Sequence, residues 1–181
     1  MDEIKRYEHI VGEMIEIRED SLPDSVFDTI NLERAEFTDV NLSTVVFDKA
    51  NMECAVFNSV DLNCSAFDNA YLDNSTINDA SFANAVIDNV NMERTKFSNL
   101  NMTCANFKNV NFKLTHFNEA NFDETKFGCS DMIGASFKTI ILKETLFDEC
   151  DFSNVELKDC KIDGLTINGI DISELIKSYN K

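Results

Sequence analysis

The chain has 181 residues with 33 acidic against 16 basic side chains, a formal net charge of −17, and it contains one proline and five glycines. That length suits one domain, and that charge excludes direct binding to a nucleic-acid backbone, which needs Lys and Arg. No run approaches the ~20 apolar residues of a membrane span, and the acidic start Met1-Asp2-Glu3 opens no signal peptide, so a cytoplasmic location without a membrane partner is expected.

Residues 1–24 form the first element. Ile4, Tyr7, Val11, Met14 and Ile15 recur at near-helical spacing between charged residues, and Pro23 breaks any helix that reaches it. The pattern predicts an N-terminal capping helix from residue 2 to about residue 17. The alternation in Met14-Ile15-Glu16-Ile17-Arg18 leaves a short strand open as the alternative.

A second pattern begins at residue 25. All fifteen phenylalanines, from Phe27 to Phe152, fall on one register of five, and its other positions to Ile172 hold only Leu, Met or Ile. Two residues before each centre lies a smaller site, running from Ser25 to Ile170, that never carries a charge. Exclusion of charge from both sites marks them as inward-facing. A period of five fits neither regular element. On an α-helix, steps of five advance by roughly 500° and spiral around the axis. On a flat strand, successive fives land on opposite faces. A chain that turns a corner every five residues, by contrast, presents one large and one small residue inward on every side. Fixed periods of this kind belong to solenoids, whose units bury a core only by stacking on one another.

The stretches Ala35-Glu36-Phe37-Thr38-Asp39, Val40-Asn41-Leu42-Ser43-Thr44, Ala50-Asn51-Met52, Ala105-Asn106-Phe107 and Ala120-Asn121-Phe122 resemble the A-(D/N)-L-x-x unit of the pentapeptide-repeat family, and residues 25–172 keep its register without a slip. The resemblance implies an all-β solenoid, a right-handed quadrilateral β-helix with four five-residue sides per coil. Residues 25–172 would then make about seven and a half coils, roughly 36 Å long at a strand spacing of ~4.8 Å. Residues 173–181 complete the chain. Asp171 or Ser173 can N-cap a short helix there, with Leu175, Ile176 and Tyr179 placed to cover the last coil. Some members of the family carry a longer C-terminal module that joins two rods, and this tail is short for that role, so a monomer and a homodimer both stay open.

Enzymatic residues are not apparent. His9 and His116 stand outside any nucleophile–base or metal-ligand pattern. The glycines are scattered, and no phosphate-binding loop exists. Cys150 and Cys160 fall on small inward sites, whereas Cys54, Cys64, Cys104 and Cys129 close their units, and structural thiols are the expected reading. A rod without insertions offers no loops on which to assemble a pocket. No catalytic, cofactor or metal site is expected.

Stacking at twenty residues turns the surface into columns. One column holds Asp28, Asp48, Asp68 and Asp88, and the next side holds Glu33, Glu53, Asp73 and Glu93. Residues 25–95 carry twelve acids against three bases, and residues 96–172 twelve against eight, so the N-terminal half is the negative end. High net charge keeps an edge-rich β protein soluble. The sharper reading is mimicry of DNA toward a basic groove. The family resemblance supports it, because pentapeptide proteins linked to quinolone resistance are thought to act on DNA gyrase in this way. Beside the Asp column lie Val26, Val46, Ala66 and Val86, either β-branched residues suited to strands or an apolar interface. Asparagines just before the centres, among them Asn31, Asn51 and Asn111, are expected to stabilise turns and to bond between coils.

Overall fold

In a computed structural model, residues 6–8, 16–18 and 21–179 are described. They form a four-sided parallel β-solenoid of about eight coils with one short C-terminal helix. Tyr7, Phe27, Phe47, Phe67, Ile87, Phe107, Phe127, Phe147 and Ile167 are successive register partners in one sheet. Ile17, Phe37, Phe57, Ile77, Phe97, Phe117, Phe137 and Leu157 follow one another in the second. On the remaining two sides of each coil, neighbours meet through single parallel bridges such as Asn31–Asn51 and Asn41–Asp61.

Every coil is closed by its corners. The last residue of nearly every unit takes a left-handed φ, for example Arg34 at 59°, Thr44 at 60° and Leu114 at 56°. Such a conformation costs an L-residue about 1–2 kcal/mol. Two kinds of bond offset it. Alternate corners are turns of type II, closed by bonds such as Ala35 N–H to Leu32 O at 3.0 Å, and the left-handed residue donates to the next coil, as Arg34 N–H does to Glu53 O at 2.9 Å. The asparagines brace the same corners. Asn31, Asn41, Asn51, Asn91, Asn101, Asn111 and Asn121 each accept, through Oδ1, the N–H of the residue two positions on. Three of these amides also bond between coils: Asn111 Nδ2 donates to Asn91 Oδ1 at 2.8 Å, Asn121 Nδ2 to Thr103 Oγ1 at 3.2 Å and Asn101 Nδ2 to Ser81 Oγ at 3.4 Å.

The core is a column of rings. Phe37 stacks on Phe57 with centroids 4.6 Å apart, Phe97 on Phe117 at 4.8 Å and Phe127 on Phe147 at 4.6 Å. Where adjacent sides both carry Phe the rings meet edge-on, as Phe117 and Phe122 do at 80°. Several hydroxyls on the small inward sites are absorbed by the backbone: Thr95, Thr115 and Thr125 donate to the carbonyls of Leu72, Met92 and Met102 at 2.7–2.8 Å, whereas the buried hydroxyls of Ser25 and Ser65 find no partner among the described residues. Both inward sites are buried without exception from Ser25 to Phe147, and beyond that most of them open: Phe152, Val155 and Ile162 are half-buried and Leu157 and Ile170 are exposed, while Leu165 stays buried.

Both ends depart from expectation. Where a helix over residues 2–17 was expected, Arg6–Glu8 and Glu16–Arg18 are strands that pair with Val26–Asp28 and Glu36–Thr38. Tyr7 and Ile17 lie on the five-residue register one coil before Phe27 and Phe37, and extending the ladder satisfies the first coil's backbone edge. The rest of the expected helix lies outside the described residues. At the other end the helix is present, over Ile172–Tyr179, and Asp171 caps it by accepting Glu174 N–H at 3.0 Å. It does not cover the last coil, however: Leu175, Ile176 and Tyr179 are all exposed. Instead a hairpin at Asn168-Gly169, both with positive φ, folds Ile170–Asp171 back antiparallel onto Thr166–Ile167. Asn-Gly is the favoured pair for such a two-residue turn.

Two substitutions test this account. Phe117→Ala, in the stacked and fully buried column, is expected to destabilise the rod by about 3–5 kcal/mol in urea unfolding, against a change within about 0.5 kcal/mol for the outward Asn118→Ala. Thr139→Asn, at a corner with φ 57°, is expected to stabilise by up to about 1 kcal/mol, because Asn tolerates the left-handed region better than a β-branched residue.

Candidate interaction surface

The repeat places the acidic residues in register. Asp28, Asp48, Asp68 and Asp88 are direct partners on successive strands of the first sheet. On the next side, bonds from Arg34 N–H to Glu53 O, Cys54 N–H to Asp73 O and Asn74 N–H to Glu93 O stack Glu33, Glu53, Asp73 and Glu93 at the same pitch. The two ladders run either side of one corner of the rod, with rungs ~4.8 Å apart.

Neighbouring cations neutralise only part of this charge. Lys49 Nζ lies 2.7 Å from Asp48 Oδ2, Arg34 reaches Glu33 at 3.6 Å, and Arg94 pairs with Glu93. Among the described residues, no ion pair forms at Glu53, Asp68 or Asp73. The fields add to the local causes that shift single groups. Burial first, and then the flanking Glu53 and Glu93, raise the Asp73 carboxyl above its ordinary value, while its backbone hydrogen bond opposes the change. Lys49 is raised as well, chiefly by its hydrogen bond to Asp48, with added attraction from Asp28 and Asp68.

Between the ladders stands a residue that column reading missed. Tyr71 replaces asparagine in the bridge row Asn31–Asn51–Tyr71–Asn91 and is 55% exposed. Its interruption of an asparagine column was the available signal. The residues of the proposed apolar column, Val26, Val46 and Ala66, are half-buried, and only Val86 is well exposed, at 50%.

The reactive side chains are scattered over the coils. His116 is exposed in the second sheet between Lys96 and Ser136, whereas His9 lies outside the described residues. All six cysteines are free. Cys129 Sγ donates to Glu149 Oε2 at 3.1 Å, and this bond is the main cause that pushes its thiol up. Burial does the same to Cys150 and Cys160. A raised thiol is a poorer nucleophile at neutral pH. Among the described residues, no three His, Cys, Asp or Glu side chains converge as a metal site, and no helix is long and apolar enough to cross a membrane.

The family profile for pentapeptide repeats matches residues 27–63, 65–103 and 101–138, in eight copies. The chain belongs to the pentapeptide-repeat family. No curated protein matches it in sequence. Among solved structures, this pentapeptide-repeat protein is similar to HetL, involved in heterocyst differentiation regulation in the cyanobacterium Nostoc, at 15% identity over 92% of this chain and 91% of HetL, with a TM-score of 0.41. It is also similar to full-length QnrB1, a plasmid-mediated fluoroquinolone resistance protein, at 15% identity over 97% and 100% of the two chains, with a TM-score of 0.40. A pentapeptide-repeat protein of the Arabidopsis thaliana thylakoid lumen is 21% identical over 67% of each chain, with a TM-score of 0.26.

The ladder geometry predicts a salt- and pH-dependent penalty. Asp73→Asn removes the charge between Glu53 and Glu93, and is expected to raise stability by a few tenths of a kcal/mol at low ionic strength, a gain that fades as salt screens the column. The sign with pH follows from the raised carboxyl. The folded state holds this proton more tightly than the unfolded state, so the penalty is present above the raised value and is relieved as pH falls through it. Thermal melts at low and high salt, from neutral pH downward, check both statements.

Proposed function

We propose that this pentapeptide-repeat rod is a non-enzymatic, cytoplasmic, bacterial-type protein whose work is to present a surface to a protein partner. One observation carries the reading. The coils run from Ser21 to Ile167 with no insertion between them, while the outward charge is sorted along the rod, twelve acids against three bases in residues 25–95 and twelve against eight in residues 96–172. An ordered, uneven surface on a uniform core suits recognition more than chemistry.

The second reading is a DNA mimic that binds DNA gyrase or a topoisomerase and modulates quinolone sensitivity. The paired ladders favour it. Two columns at ~4.8 Å place one carboxylate per ~2.4 Å of rod, close to the duplex value of about one charge per 1.7 Å. Four rungs span only ~14 Å, less than half of a duplex turn of about 34 Å, so the match is one of charge density over a short contact. A basic groove on the partner is the complementary surface, and the acids would steer its approach and lower the affinity as salt rises.

A supercoiling assay with purified gyrase separates the two readings. The mimic is expected to inhibit supercoiling, or to protect the enzyme from quinolones, at micromolar protein. Absence of both effects would remove gyrase as the partner and leave the interaction rod. Where an effect is present, changing Asp48, Glu53, Asp68 and Asp73 together to Lys is expected to abolish it. An undiminished effect would show that the contact lies elsewhere on the rod.

A further inference from the structure

The last coil leaves one sheet without a neighbour. The first sheet is closed at this end by Ile170–Asp171, which folds back antiparallel onto Thr166–Ile167. The second sheet stops at Glu156–Lys158, whose three residues are all exposed and whose one strand partner among the described residues is Ser136–Lys138 below it. One coil down, Ala135 O accepts Glu156 N–H at 3.1 Å and Thr139 N–H donates to Lys158 O at 2.9 Å. Among the described residues, the matching groups of the last coil, Val155 O and Asp159 N–H, make no such bond. They are spaced to hold one more parallel strand, and an open edge of this kind is a template for a further chain.

The side chains at the edge state what that chain must carry. Leu157 continues the column Phe97–Phe117–Phe137 and is 38% exposed, so it calls for an apolar residue above it. Ile162, five residues on and half-buried, calls for a second at the same interval. Charge sets the flanks. Lys158 is the direct partner of Lys138, and among the described residues neither lysine forms an ion pair, nor does Glu156. An acid opposite Lys158 offsets two stacked cations, and a base opposite Glu156 completes an ion pair, whereas like charges at those places are disfavoured. A parallel, in-register copy of the same strand would set Glu on Glu and Lys on Lys, so the edge selects a different sequence.

We infer that the last coil is a β-augmentation site. An extended segment of another protein adds to the second sheet parallel to Glu156–Lys158. Its sequence runs basic, apolar, acidic, with a second apolar residue five positions after the first. Main-chain bonds to Val155 O and Asp159 N–H hold the segment, and Leu157, Ile162 and the two flanking charges choose it. The inference extends the reading of the rod as an interaction surface to the end opposite the acidic ladders. It uses none of the ladder residues, so failure with gyrase and failure at this edge are separate results.

The probe is the peptide Lys-Leu-Glu-Asn-Ala-Thr-Leu-Thr, labelled with fluorescein through a flexible linker, with Asn at the place of the left-handed corner. Fluorescence anisotropy with the full chain is expected to saturate, and Leu157→Glu is expected to abolish binding with unchanged circular dichroism. A peptide that begins Glu-Leu-Lys instead is expected to bind about fivefold more weakly, and the paired change Glu156→Lys with Lys158→Glu is expected to reverse that preference. Hydrogen exchange of the wild type needs no variant: the Asp159 amide is expected to exchange more slowly once the first peptide is bound. No saturation at the highest soluble peptide concentration, or binding that withstands Leu157→Glu, overturns the proposal. Equal binding of the two peptides, a preference that survives the paired change, or unaltered exchange at Asp159 does so as well. A wild-type chain that dimerises through Leu157 with no peptide present also overturns it, because a second copy then covers the edge.

Discussion

Everything in this molecule depends on the hydrogen-bonded register of one coil on the next. A residue meets its partner twenty positions away, Phe97 on Phe117 and Asn101 on Asn121, and the pairing admits no slip because it also sets which side chains face inward. Ring stacking, the hydroxyl bonds of Thr95 and Thr115, and the asparagine braces at the corners are all consequences of that register. The left-handed corners are its cost. Chains as unlike as Arg34, Leu114 and Glu124 accept the conformation because each corner N–H finds a carbonyl in the next coil, and refusing the corner would break the ladder on both sides of it.

The register acts on the outside as firmly as on the inside. A side chain that points outward has its own column as its environment, so composition becomes geometry without any further device. Repeating Asp at one outward position yields a line of carboxylates, and like charges directly opposite one another are costly; at Asp73 the flanking Glu53 and Glu93 add to burial, the first cause that raises its carboxyl. Sequence could disperse this charge cheaply, because outward positions are under no packing demand. The C-terminal half does so: Lys108 follows Asp88 in one column, and Lys113 follows Glu93 in the other and bonds Asp131 at 2.8 Å. The contrast between the halves gives the acidic ladders a functional reading beyond solubility, which dispersed acids would supply equally well.

How much of this was legible in the sequence follows from what each level of structure obeys. The solenoid could be read directly, since burial forces Phe and small residues onto fixed positions and leaves a period of five. The asparagine braces were legible because Asn has a known preference for bonding the backbone two residues on. The N-terminal strands were misread for an identifiable reason. Tyr7 and Ile17 belong to the register, but Asp2 and Gly12 interrupt it, and apolar residues at near-helical spacing then appeared the stronger pattern. What overrides that pattern is the unsatisfied backbone edge of the coil at Val26–Asp28, a tertiary demand that no local window contains. The C-terminal helix was found with its cap, yet the burial expected of Leu175 and Ile176 was not. An amphipathic pattern states that a face is apolar and does not state what covers it.

The ends differ for the same reason that the middle is uniform. In a quasi-one-dimensional fold each coil is stabilised by its two neighbours, so only the terminal coils can lack a partner. At the N-terminus the deficit is met from within, by more strand on the same register. At the C-terminus the chain turns back at Asn168-Gly169, which shields the edge of one sheet only, and leaves the other sheet and the apolar face of the helix in solvent. Leu157 and Ile170 hold inward positions of the register, yet at this end of the rod no further coil covers them and they are exposed. Their exposure, at the end of the rod away from the acidic ladders, makes the surface uneven along its axis, with charge concentrated in one half and apolar side chains at the other end. Charge and apolar area differ in range and in salt response, and the one-dimensional stacking of coils keeps the two apart on the same rod.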